Sequence, residues 1–328
     1  MGDRRGGAGP AVGAARGSGG AGSGLLYALL VVSWGLNYVV VRWGLEEAAP
    51  LWLAFLRAGV GAIALLFFVA ISRRAGGLSR RGRREALLLG IPTTGLFFGL
   101  WFSAAGSVPA GQTAVLIYTF PLWVLLLSAV RLRYLPAAAE LVAVGVGFAG
   151  VVLVSQPWTG GAGSISPVAL VELLGGAVAW AVGTVLFKER FHGPEVVEAN
   201  LYQLVGGAAT LLIASLWLER SRVPAYSLAL LAEVAWLGLV GTALAYTIWY
   251  YLLDRYRAET ISAYTFLVPI AALAASIPLL GESLDPVQGL GVLLVLSSLY
   301  VTGRAGRRRS AEERTRPPSA APPPGGWG

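Results

Sequence analysis

From residue 86 to residue 130 the chain carries no charged side chain, and no other feature narrows its fold as sharply. At 1.5 Å per helical residue the run crosses a hydrocarbon core of about 30 Å twice, with the breaker-rich AGSVPAG around Pro109 as the turn. Comparable runs lie between Glu198 and Glu219, Glu233 and Asp254, Glu259 and Glu282, and Asp285 and Arg304. Over 328 residues, 56 % hydrophobic content, 13 % charged content and a mean hydropathy of +0.68 point to a bilayer as solvent. The expectation is an all-α integral membrane protein with ten transmembrane helices near 25–44, 51–71, 86–105, 110–130, 137–155, 168–187, 198–217, 229–252, 260–280 and 286–302. An outer-membrane barrel fits poorly, because its strands alternate over about ten residues instead of staying apolar.

The net charge of +8 invites a nucleic-acid reading, but its placement follows membrane topology. The N-terminal tail, residues 72–84, 131–133, 188–190 and 255–257 and the C-terminal tail hold all but four of the 25 Lys and Arg residues. Arg220 and Arg222 fall in the alternate loops, and Arg42 and Arg57 lie inside spans. This bias predicts a multi-pass protein of the cell membrane with both termini cytoplasmic and no nucleic-acid partner. The Arg4-Arg5 pair precedes an apolar run too long for a cleaved signal, so span one reads as an uncleaved anchor. Residues 1–23 are rich in Gly and Ala, and 304–328 pass from a basic stretch into PPSAAPPPGG; both tails are expected to be disordered and cytoplasmic. The absence of cysteine excludes disulfides and thiolate sites. With one histidine, His192, read as an ordinary loop residue, and scattered acids, no metal or cofactor is expected.

The second half repeats the first. An offset of 146 places Trp34 on Trp180, Arg42 on Lys188, Arg57 on Gln203 and Gly61 on Gly207. From the third span onward an offset of 148 places Trp101 on Trp249 and Pro121 on Pro269. A unit of five spans is odd, so successive copies enter the membrane from opposite sides; the expected units are 24–155 and 167–303, joined by an outer linker at 156–166. Inverted repeats of this kind underlie alternating access in many transporters.

SWGLNYVVVRWGL in span one, PLWLAFLRAG in span two, VLIYTFPLWVLL in span four and TFLVPIAALAASIPLLGESLDPVQGLGVLL in the last two resemble the EamA domains of the drug/metabolite transporter superfamily, over residues 25–302. The order, spacing and duplication of these segments carry the resemblance. One departure stands out: LGES, with Gly281 and Glu282, has RYLP in the first copy, where Tyr134 takes the acid's place. The resemblance implies a secondary transporter, export over uptake, proton coupling and a central cavity.

Pro121 and Pro269 are the best site pointers. Each removes a backbone donor near mid-span and deprives the carbonyl four residues earlier, at Ile117 and Thr265, of its helical partner. Around them Trp34, Asn37 and Tyr38, Trp101, Tyr118, Trp180 and Thr184, and Trp249 and Tyr250 mix aromatic faces with hydrogen-bonding groups suited to a small organic solute. Arg57, seven residues after Pro50, sits about 10 Å into its span and needs a partner, water or an anionic substrate group; Gln203 is its counterpart. Glu140, Glu172 and Glu233 near span ends are weaker candidates for proton exchange. Gly95 and Gly99, and the glycines at 145, 147, 150, 289 and 291, suit close helix packing within the chain or against a second copy. The reading is therefore a secondary carrier of a small organic metabolite. Its alternatives are a membrane-embedded lipid-modifying enzyme and a non-transporting scaffold; no GxxxxGK[ST] phosphate loop is present.

Overall fold

The computed structural model describes residues 21–315 except 73–76, 132, 134, 157–163, 257, 259, 260, 263, 264 and 266. Ten helices follow one another: α1 Ala21–Glu47, α2 Pro50–Ser72, α3 Arg80–Ala105, α4 Ala110–Arg131, α5 Ala138–Ser155, α6 Pro167–Arg190, α7 Glu195–Leu218, α8 Leu228–Arg255, α9 Leu267–Leu280 and α10 Pro286–Thr315. Nine of them are long and apolar enough to cross a bilayer, α9 is a shorter apolar helix of 14 residues, and no strand occurs among the described residues. Leu66, Phe67, Ile71 and Val142 face outward, while Asn37, Arg57, Thr94 and Gln203 are buried. That inversion of a soluble protein's pattern belongs to a multi-pass membrane protein.

The helices pair by the symmetry of the repeat. Helix α1 packs on α9 as α6 packs on α4, α2 on α8 as α7 on α3, and α5 and α10 pack on each other. One pair of cations shows the relation at atomic scale. Arg42 Nη1 donates to the carbonyls of Ala105 and Gly106 at 3.2 and 2.7 Å, satisfying orphan acceptors at the end of α3. Lys188 Nζ donates to the carbonyls of Leu253 and Asp254 at 2.6 and 2.9 Å, at the end of α8. The cations are 146 residues apart and their acceptors 148, the two offsets read in the sequence.

The loop ends divide into two chemical faces. At the arginine-rich face, ion pairs join the halves: Arg190 with Glu85, Arg131 with Glu189 at 2.6 Å, and Arg83 with Glu198 at 3.1 Å. At the opposite face, carboxylates cap helix starts across the halves. Glu219 accepts from the backbone N–H of Leu51 and Trp52 at 3.0–3.1 Å, and Glu282 from Ala110 and Gly111 at 2.5 and 2.9 Å. The LGES acid is thus an N-cap for α4. Its first-copy counterpart, Tyr134, lies outside the described residues.

Pro269 lies in the first turn of Leu267–Leu280 as Pro121 lies in the first turn of Phe120–Arg131; residues 258, 261 and 262 upstream are also helical, and several residues between lie outside the described ones. The carbonyl of Thr265 accepts from Val268 N at 2.9 Å. One expectation needs correction: α10 runs past Gly303 to Thr315. RAGRRRSAEERT is rich in helix-forming Arg, Ala and Glu and free of proline. The rest of the two tails lies outside the described residues.

Candidate functional site

Three helices bring their least regular segments to the centre. In α4 the helix stops at Ile117 and restarts at Phe120, because Pro121 offers no N–H to Ile117; Thr119 N and Leu122 N bond i→i−3 instead, at 3.2 and 2.9 Å. In α3 and α8 the backbone widens to π-helix at Ile91–Leu96 and Trp236–Leu244, which overlap under the 148 offset. Such π segments occur mainly as interruptions at functional sites.

Glycines let the helices meet there. A Cβ on Gly61 would stand 2.7 Å from Thr242, and one on Gly207 would stand 2.2 Å from Thr94; these are repeat-related crossings of α2 with α8 and α7 with α3. The next contact is exchanged between copies. Asn37 of α1 fills the space above Gly241 of α8, whereas in the mate crossing Thr93 of α3 fills the space above Gly183 of α6.

The central cavity is lined by Trp34, Asn37, Tyr38, Arg57, Phe97, Trp101, Ile117, Tyr118, Phe120, Trp180 and Tyr246. Its free volume is about 20 Å³, room for a single water molecule. Repeat mates Trp34 and Trp180 meet edge to face across the middle, their centroids 6.0 Å apart. Tyr38 packs on Trp101 at 4.7 Å and Phe97 on Trp180 at 4.9 Å.

Arg57 is 1 % exposed. Its Nε donates to Thr242 Oγ1 at 2.9 Å and its Nη2 to the carbonyl of Gly241 at 3.2 Å, while Nη1 has no partner. The guanidinium lies 4.2 Å from the Phe98 ring centroid and 5.0 Å from that of Trp101, a cation–π cradle. A guanidinium only donates, so the Asn37 amide turns its oxygen toward it: Oδ1 accepts from Nη2 at 3.2 Å and Nδ2 donates to the carbonyl of Ser33 at 3.2 Å. No carboxylate pairs with Arg57 among the described residues.

Of the residues singled out from sequence, Trp34, Asn37, Tyr38, Arg57, Trp101, Tyr118 and Trp180 come together on the cavity wall. Trp249 stands behind them, 5.5 Å from Trp34. Thr184 is buried off the wall, Gln203 donates to Asn200 Oδ1 at 3.1 Å, and Tyr250 stacks on Phe187 at 4.0 Å. Thr265 is buried, its hydroxyl donating to the carbonyl of Ser262. The glutamates at 140, 172 and 233 do not line the cavity; Glu140 Oε2 accepts from Ala137 N at 2.8 Å at the start of α5. Phe97, Phe120 and Tyr246 line the wall without having been expected. Tyr246, one turn before Trp249 and Tyr250, carried a readable signal; a phenylalanine in an apolar run carries none.

The profile of the EamA-like transporter family matches twice, over residues 22–156 and 168–304. The chain belongs to the EamA-like transporter family. This EamA-like chain is 29 % identical over 289 residues to the "Probable amino-acid metabolite efflux pump" of Escherichia coli (strain K12), covering 85 % of this chain and 93 % of that one. It is 27 % identical to the "Uncharacterized transporter YvbV" of Bacillus subtilis (strain 168), covering 88 % and 93 %. With the "Uncharacterized inner membrane transporter YedA" of Escherichia coli (strain K12) it shares 28 %, over 86 % and 90 %. A protein crystal structure superposes with a TM-score of 0.65 over 88 % of this chain and 99 % of the other, at 16 % identity. That likeness concerns the fold. The EamA-like chain is a membrane transporter of a small solute.

Proposed function

We propose that this transporter carries a small amino-acid-like metabolite with a carboxylate group out of the cytoplasm, by rocking its two inverted halves around the central cavity. The observation that carries the reading is Arg57: a fully buried cation with an unpartnered Nη1 and, among the described residues, no carboxylate paired with it. An uncompensated buried charge costs several kcal/mol. A solute carboxylate offsets that cost when it binds, with the aromatic walls taking the apolar remainder. The likeness to an efflux pump named for amino-acid metabolites supports the same solute class and direction.

In this proposal the central cavity opens when α3 and α8 bend at their π segments and the glycine–threonine crossings slide. The positive charge of the arginine-rich face supports a cytoplasmic position for it. Among the described residues the wall carries no carboxylate or histidine.

The test is flux of labelled amino acids in proteoliposomes, with and without a pH gradient. Wild-type protein moves at least one of them; Arg57→Gln, which keeps hydrogen bonding and removes charge, lowers flux about tenfold or more, the factor for roughly 1.4 kcal/mol. Trp101→Ala weakens flux of the same solute. Unimpaired flux in Arg57→Gln rejects the carboxylate reading.

A further inference from the structure

We propose that a second chamber, between α7 and α8 at the arginine-rich face, is a loading site for an amino-acid-like zwitterion, separate from the central cavity; this rests on the solute class proposed above. The chamber has a free volume of about 110 Å³, against about 20 Å³ at the centre. It therefore has room for a small solute, which the centre lacks. Its polar lining is Asn200, Thr247, Tyr250, Asp254 and Arg255.

Three observations give it a ligand chemistry. Asn200 is 1 % exposed, its Oδ1 is occupied by Gln203 Nε2 at 3.1 Å, and its Nδ2 has no partner. A buried amide donor with its acceptor side already used is built to receive an acceptor, and a carboxylate is the strongest available. Second, the lining carries opposite charges that are each held in place. Asp254 Oδ1 accepts from Gly193 N at 3.1 Å, while Arg255 donates to the carbonyl of Tyr251 at 3.2 Å and lies 3.5 Å from its ring centroid. An ammonium faces Asp254 and a carboxylate faces Arg255 and Asn200, the pattern of a zwitterion.

Third, the repeat does not duplicate the chemistry. The positions related to Asn200, Tyr250, Asp254 and Arg255 by the two offsets are Ala54, Phe102, Gly106 and Ser107, and Ala54 and Phe102 are packed with no exposure. The polar lining is thus peculiar to the arginine-rich face. Asn200 is also bonded to Gln203, the repeat mate of Arg57, so the floor of the chamber adjoins the helix crossing that mirrors the central site.

The cysteine-free chain allows a single-site reporter. Val197→Cys, on the chamber wall, is treated with a membrane-impermeant thiol reagent in vesicles of each orientation, with and without a mixture of the common L-amino acids. Modification proceeds from the arginine-rich face only and is slowed by amino acids. Adding Asp254→Asn, Arg255→Gln or Asn200→Leu raises the half-protecting concentration about tenfold, as expected for one charge-assisted hydrogen bond. Each combined variant serves only if its elution profile and modification rate without amino acids match the parent. Protection that is absent, or unchanged in all three variants, while the same vesicles transport amino acids, overturns the chamber and leaves the proposed function standing. Vesicles that move no amino acid overturn both.

Discussion

The residue scale is where the two halves betray their common plan and where single substitutions are most informative. Gly183→Ala sets a methyl 1.9 Å from Thr93 Cγ2, an overlap expected to cost about 1–3 kcal/mol. Thr93→Ser removes that methyl and keeps the hydroxyl that donates to the carbonyl of Leu89 at 2.6 Å, so the double variant recovers most of the loss in thermal unfolding in detergent. Gly90→Ala meets the carbonyl oxygen of Gln203 at 2.1 Å; backbone does not yield, and no side-chain change rescues it. These collisions were not legible in the sequence, since a glycine announces a close approach without naming the neighbour. Arg57, Asn37 and the tryptophans were legible, because a polar or large aromatic group in an apolar span has few reasons to be there. Arg57's lack of a paired carboxylate among the described residues needed coordinates: the sequence supplies carboxylates at many positions, and only the fold shows which of them lie apart from it.

Among elements, the helices that break are the ones that build the site. The long uncharged runs made the spans readable, and Pro121 marked the break of α4. The π segments of α3 and α8 were invisible, because an extra residue per turn rotates a helical face and these segments are apolar on nearly every face. Pro121→Ala restores the missing donor, and the expected outcome is a more continuous α4, a higher melting temperature and slower flux, read by unfolding and transport on the same preparation. Glu282→Gln removes the charged cap of α4 while leaving an acceptor. Its expected cost is a fraction of the 0.5–2 kcal/mol range for losing a cap, and Glu282→Ala should cost more in the same melt.

At the scale of the whole molecule, the two faces close by different chemistry. The arginine-rich face is tied by Arg–Glu pairs, of which Arg190–Glu85 and Arg131–Glu189 are exposed on both sides, the arginines at 45 % and 56 %, so each of these two contributes little to stability and is weakened by salt. The opposite face is tied by carboxylates on helix starts. Replacing Glu85 and Glu189 together by Gln is expected to raise reagent access to the cavity from the arginine-rich face several-fold, and high ionic strength to raise it in the parent, with little change from the other side; a single-cysteine reporter at Ile117 reads both. The exchanged contact has a last consequence. Because Asn37 fills over Gly241 while Thr93 fills over Gly183, a bulky group can migrate from one helix of a crossing to the other without altering the fit. Once a gene has been duplicated and fused, the halves are then free to drift apart in sequence while their geometry is conserved. Identity between the halves understates their kinship, and the trace of it lies in compensating pairs drawn one from each half.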